Sequence, residues 1–445
     1  VIEDGRIVAV RSVAGAAPDA LDLGDAVLLP GLVNVHTHLD YTVMRGLLED
    51  IEFFSWIREL TARKAALTEE DWIASATWGA AEALAGGVTT IGDCTDSGAA
   101  LYGAKTLGLR GVIYQEVFGI DESSPVEDIL AELRGKVERL QRDSEGARLV
   151  VGISPHAPYT VRPALFRALN EYARNGLLPV CIHAAESRAE AELLRCGTGP
   201  IAEMFARRGI TWEPAGSSTI AYLDSFGILR PQTMLVHGIQ VSASDRATIQ
   251  ERGVAWAHCP KSNAKLGVGV SPLGILGHRR MDVPPAPLAG RTIPRIGLGS
   301  DSVASNNTMD LFEEMRFAVL MQRGAHHCIH ALTAREAVEM ATFGGAQALG
   351  WEAEIGSLEP GKRADLCAVR LNDLHSTPAY DPYSALVYAA RASDVILTVL
   401  DGTIVYDARR GSHSMDRFTE CNLAPVRARL RAAADKMRHG RPPSS

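Results

Sequence analysis

The sequence predicts an α/β chain: eight strands alternating with helices in a closed (β/α)8 barrel, with a small β-sandwich domain formed from both chain ends. Three observations carry that prediction. Short apolar runs alternate with helix-period segments through the middle of the chain. Histidines gather at the C-terminal ends of those runs. Turn-rich β texture occurs near both termini and nowhere between.

Taken in order, residues 1–28 are short β-like runs (Val1-Ile2, then Arg6 to Val10) broken by Asp-Gly and Gly-Asp turns. They are too small to hold a core alone. Similar texture returns over 350–410, in Ala364 to Arg370, Asp394 to Leu400 and Thr403 to Asp407, so the two ends are expected to pair. Residues 29–349 form the barrel. Its first strand is read from the apolar stretch of Ala26 to Leu29 and Leu32 to Val35. The others are Gly87 to Asp93, Gly111 to Val117, Leu149 to Ser154, Leu178 to His183, Thr233 to His237, Gly253 to His258 and Arg295 to Asp301. Such runs suit parallel strands buried on both faces. Between them the spacing predicts helices over Glu69 to Ala85, Pro125 to Gln141, Arg162 to Arg174, Ala243 to Arg252 and Met309 to Gln322. With right-handed crossovers this is a TIM barrel. A doubly wound sheet is the alternative, but no Gly-x-Gly-x-x-Gly turn follows the first strand. The link Gly277 to Pro294 carries four prolines and is expected to be an irregular loop. Residues 411–445 are expected to give one surface helix, Leu423 to Met437, and a frayed tail.

Composition excludes several classes. Of 445 residues, 46% are hydrophobic and 22% charged, as in globular proteins, and the net charge of -8 with no basic run excludes a nucleic-acid surface. No apolar stretch is long enough to span a bilayer and nothing at the start reads as a secretory signal. Seven scattered cysteines without Cys-x-x-Cys point to a reducing compartment, here read as cytoplasmic, and away from a thiolate zinc site. The chain starts at Val1 inside a strand-like run, so native sequence ahead of it is expected. The expected partner is a small-molecule substrate, the expected assembly a homo-oligomer, dimer or tetramer.

Chemistry is concentrated at the strand ends. His36 and His38, two apart on a strand, face one side and can chelate. Of thirteen histidines, six (His36, His38, His156, His183, His237, His258) close predicted strands, and Asp301 closes the last one. Barrel active sites open on that face. Imidazoles with a carboxylate suit Zn²⁺ or Fe²⁺, with Ni²⁺ a further possibility. Each residue has a plainer reading: His183 as a buried carbonyl-bonded histidine, Glu186 as a complement to a helix dipole, Asp301 as a helix cap, His156 and His258 as structural groups.

Pro30-Gly-Leu-Val-Asn-Val-His-Thr-His38, His183-x-x-Glu186, His237-Gly and Gly299-Ser-Asp-Ser-Val-Ala-Ser-Asn-Asn307 together resemble the amidohydrolase superfamily. Ser154 to Tyr159, His258 to Leu266 and Gly356 to Asp365 fit the same pattern. The nearest branch is that of the methylthioadenosine/S-adenosylhomocysteine and aminofutalosine deaminases, related to triazine chlorohydrolases. The resemblance implies one divalent metal on His36, His38, His183 and Asp301. It further implies His237 polarising the water, Glu186 shuttling protons, Asp301 accepting the water's proton, and Trp56, His156, Ser305 and Asn306 joining Glu186 at the substrate. A single metal is also supported by the absence of a lysine where strand four runs into Ser154-Pro-His.

The expected reaction is hydrolytic deamination of an aminated purine nucleoside. Trp56 followed by Arg63 and Lys64, where related nucleoside deaminases carry a ribose-binding glutamate, suggests an aromatic ring bearing a carboxylate, hence 6-aminodeoxyfutalosine. Adenosine, methylthioadenosine and S-adenosylhomocysteine are the expected secondary substrates. A triazine chlorohydrolase or aminohydrolase, a guanine-type base deaminase and a catalytically dead scaffold are the alternatives.

Overall fold

The computed structural model describes residues 1–12, 20–51, 53–273, 295–410, 418 and 421–439. The proline-rich link 277–294 and the terminal Pro-Pro-Ser-Ser lie outside them. Two short strands, β1 (Ile2–Glu3) and β2 (Arg6–Ile7), pair antiparallel. Strand β3 (Ala26–Pro30) is followed at once by β4 (Leu32–Thr37).

The barrel then runs through β5 (Val88–Thr95), β6 (Arg110–Val117), β7 (Leu149–Pro155), β8 (Val180–Ala184), β9 (Thr233–His237), β10 (Ala255–His258) and β11 (Ile296–Leu298). β4 to β11 form one parallel eight-stranded sheet in chain order. All residues of β5 and β6 are buried, as expected where helices cover one face and the barrel fills the other. The seam between first and last strands closes through a Thr37–Asp301 bridge, Asp301 N–H donating to the His36 carbonyl at 2.9 Å. Asn34 spans the same seam, donating to Ser300 Oγ and accepting from Ser300 N–H. This is the predicted barrel.

The apolar stretch expected to be one strand is divided between two sheets. β3 pairs antiparallel with β12 (Leu366–Arg370), while β4 opens the barrel. Pro30 has no N–H for continued pairing, and at Gly31 an added Cβ would stand 2.1 Å from Thr89 Oγ1. With β13 (Val395–Leu400) and β14 (Thr403–Asp407), β12 and β3 make a four-stranded antiparallel sheet. Arg110 ties it to the barrel, its Nε donating to Asp365 at 2.8 Å and its Nη2 to Asp401 at 2.7 Å.

The five helices predicted between strands form as Glu69–Ala85, Val126–Asp143, Pro163–Asn175, Ala243–Glu251 and Leu311–His326. The terminal helix, Ala424–His439, is more than a surface element. Ala433 and Met437 are fully buried against Tyr41, Met44, Trp56 and Leu60. Arg429 and Lys436 both hold the buried Asp71 carboxylate at the start of Glu69–Ala85. A basic, alanine-rich composition hid this stripe, because its apolar partners lie more than 350 residues away in the chain.

Candidate active site

His36, His38, His183, His237 and Asp301 converge at the C-terminal mouth of the barrel. One ligand nitrogen from each of His36, His38 and His183 lies within 4.8 Å of the other two. Asp301 Oδ1 stands 3.3 Å from His36 Nε2 and 3.6 Å from His38 Nε2. His183 donates Nδ1–H to the His156 carbonyl at 2.9 Å, so its Nε2 is left for a ligand bond. The carbonyl-bonded reading of His183 and the metal-ligand reading are therefore compatible. His36 Nε2 is buried without a hydrogen-bond partner. Three imidazoles and a carboxylate around one point, with that nitrogen unsatisfied, fit a divalent cation.

Asp301 is positioned by its second oxygen, which accepts from Ser262 Oγ at 2.6 Å and Ser305 Oγ at 3.2 Å. Two of the converging residues sit in left-handed backbone, His237 at φ +71° and Asp301 at φ +57°. Such conformations cost free energy in non-glycine residues and persist only where the surroundings impose them. At His237 the imposition is visible. Its carbonyl accepts from Trp256 Nε1, and the following Gly238 lies so close to that indole that a Cβ would be 2.3 Å from the ring.

His237 Nδ1–H donates to Asn263 Oδ1 at 2.9 Å, leaving Nε2 bare and 3.6 Å from Glu186 Oε1. Burial raises the Glu186 pKa above the ordinary glutamate value. A raised pKa favours the protonated form that a proton shuttle has to take up in its cycle. Its loop is pinned from below by Glu190, which accepts from the N–H groups of Ala185 at 2.8 Å and Glu186 at 3.0 Å.

Above this floor lies a cavity of about 380 Å³, walled by Trp56, Leu60, Phe118, Tyr159 and Leu266. Lys64, His156, Glu186 and Ser305 also line it. His156 is held by Thr160 Oγ1 at 3.0 Å, and burial pushes its imidazole down to about 3, so it is neutral. Two expected contacts are absent from the lining. Arg63 turns away and donates to the Met437 carbonyl, because a residue adjacent to Lys64 on a helix points about 100° around its axis. Asn306 lies beneath the floor, its amide donating to the Ser300 carbonyl and Glu314 Oε1, both at 2.6 Å. His258 is buried outside the cavity lining.

Sequence reasoning missed Tyr41, Asn263 and Glu116. Tyr41 accepts from the Lys64 ammonium, and its ring stacks on His38 with centroids 5.2 Å apart. Asn263 lies inside the His258 to Leu266 motif without having been given a role. Glu116 stands one residue before the end of β6 and lines the cavity, so the strand-end rule that selected the histidines and Asp301 would have found it had it been applied to every carboxylate. Burial pushes its carboxyl up to about 8, opposed by the Lys64 charge.

Among known proteins, the amidohydrolase family matches residues 27–405 of this chain. A 5-methylthioadenosine/S-adenosylhomocysteine deaminase of Syntrophobacter fumaroxidans is 33% identical over 92% of this chain and 88% of its own length. Its counterpart in Haloarcula marismortui is 34% identical over 91% and 87%. A zinc-bound adenosine deaminase structure from Xanthomonas campestris superposes with TM-score 0.78 at 28% identity, covering 93% of this chain and 86% of that one. An atrazine chlorohydrolase from Arthrobacter aurescens, complexed with zinc, gives TM-score 0.79 at 22% identity over 98% and 94%, a likeness of fold alone.

Proposed function

This chain belongs to the amidohydrolase family and is a hydrolase acting on carbon–nitrogen bonds; we propose that it is a metal-dependent deaminase of 6-aminopurine nucleosides. The observation that carries the reading is Glu186, His237 and Asp301 gathered around one candidate metal position at the base of an aromatic-walled cavity. His36, His38, His183 and Asp301 would hold the ion, for which zinc suits the nitrogen and oxygen donors. When bound, a divalent ion makes hydroxide available at neutral pH.

The chain's own groups supply the rest. His237, fixed as the Nδ1–H tautomer by Asn263, offers Nε2 to orient the attacking water. Asp301, held by Ser262 and Ser305, takes a proton from it. Glu186 delivers a proton to the ring nitrogen beside the carbon under attack, making that carbon electrophilic. The C–N bond then breaks as the proton taken by Asp301 passes to the amine and the hydroxyl proton of the adduct returns to Glu186, so one water is consumed and one ammonia leaves.

Of Arg63 and Lys64, the two cations expected to meet a substrate carboxylate, only Lys64 lines the cavity, and it faces Asp96 at 3.6 Å. Lys261 is engaged with Glu313 and Lys265 with Glu49. This supports adenosine and methylthioadenosine ahead of 6-aminodeoxyfutalosine. The test is ammonia release from these three, S-adenosylhomocysteine, guanine and a triazine, with elemental analysis expected to return one metal per chain. Turnover of guanine or the triazine but of none of the nucleosides would refute the reading.

A further inference from the structure

We infer that Glu116, which lines the cavity together with Lys64, binds vicinal hydroxyl groups on the sugar of the substrate, an inference that rests on the nucleoside reading above. Glu116 is 3% exposed, and its Oε1 is buried with no hydrogen-bond partner. A buried carboxylate oxygen left unpaired is costly and calls for a donor. The residue lines both the metal-facing cavity and a second hollow of about 540 Å³, so it stands at the passage between them. A nucleoside whose ring amine reaches the floor would hold its sugar at such a passage.

The charges around the passage select the ligand chemistry. Lys64 and Asp96 share the lining with Glu116. An ammonium group there would meet Lys64, and a carboxylate would meet Glu116 and Asp96. Hydroxyls satisfy both groups, donating to the bare Glu116 oxygen and accepting from the ammonium. A second metal on Glu116, His156 and His183 is the competing use of the same atoms, since these three also lie within 4.8 Å of one another. His183 argues against it: Nδ1 is spent on the His156 carbonyl, and Nε2 is the nitrogen left for the first site.

The experiment compares kcat/KM for adenosine, 2′-deoxyadenosine, 3′-deoxyadenosine and 2′,3′-dideoxyadenosine in the native protein, Glu116→Gln and Glu116→Leu. The native protein should prefer adenosine over the dideoxy compound by on the order of 100-fold, the scale of losing two hydrogen bonds in a buried site. Both variants should bring that preference below about tenfold. Should the leucine variant fail to fold, calorimetric Kd values for inosine and 2′,3′-dideoxyinosine in the glutamine variant read the same preference without turnover. Equal efficiency on all four compounds, or variants that keep the full preference, would overturn the inference alone. Ammonia from none of them would overturn it together with the deaminase reading. Loss of a metal equivalent in Glu116→Gln would overturn it in favour of a second ion.

Discussion

The floor of the cavity hangs from strands, its wall from a helix. His36, His38, His183, His237 and Asp301 close parallel strands or follow them directly, and backbone bonds on both sides fix where each strand ends. Trp56, Leu60 and Lys64 lie on the helix Phe53–Lys64, which belongs to no sheet. It is braced from behind by Ala424–His439, through Met437, Ala433 and the bond from Arg63. The difference teaches where precision is needed. Ligand atoms around an ion tolerate a few tenths of an ångström, which a closed barrel can guarantee, whereas a wall that only shapes the substrate can be a separate part.

Substitutions should separate the two. The largest effect is expected for His36→Ala, which removes a ligand from the floor: metal content and ammonia release should both fall to background while far-UV circular dichroism persists. Retained stoichiometric metal would mean that the floor is not the ion's site. Next comes Glu186→Gln, which leaves the proposed ligands untouched. Metal content should stay at one per chain while kcat drops by about two to four orders of magnitude, the range for a lost general acid/base. A normal kcat would remove Glu186 from the mechanism.

The wall should respond differently. Met437→Ala opens a cavity behind Trp56 and Leu60, a change costing about 2–5 kcal/mol for a buried methionine. KM should rise roughly tenfold, equivalent to about 1.4 kcal/mol of binding, with metal content unaltered. A fall in kcat at constant KM would instead couple the brace to the floor.

The smallest effect is a pH dependence. Burial pushes the Asp71 carboxyl up, but Lys436, the Thr68 N–H and Arg429 outweigh it and hold the group at about 2. Because the folded value lies below the ordinary 3.8, the stabilisation is complete above that value and is lost as pH falls toward about 2. Undocking of Ala424–His439, followed by hydrogen exchange, should therefore steepen between about pH 4 and 2. Asp71→Asn should flatten that limb. A limb unchanged by the substitution would mean that Asp71 does not anchor the brace.

How much of this was legible beforehand follows the same division. Strand periodicity, helix-period segments and histidines at strand ends are local patterns, so the barrel and the residues at its mouth could be read directly from the chain. A strand's end points its side chains at the mouth whatever the rest of the fold does. The fates of Arg63 and Lys64 could not be read that way. They are neighbours of similar charge, and only the packing of a helix against another from the far end of the chain sends one to the Met437 carbonyl and the other to Tyr41. The bond between His237 and Asn263 spans 26 residues, and that between Arg429 and Asp71 spans 358. The sequence by itself determined which groups could do chemistry, because residue type and local period suffice for that. The tertiary structure alone decided which cation lines the cavity and which carboxyl oxygen stands unpaired beside it, because burial and partnership depend on contacts that no local pattern encodes.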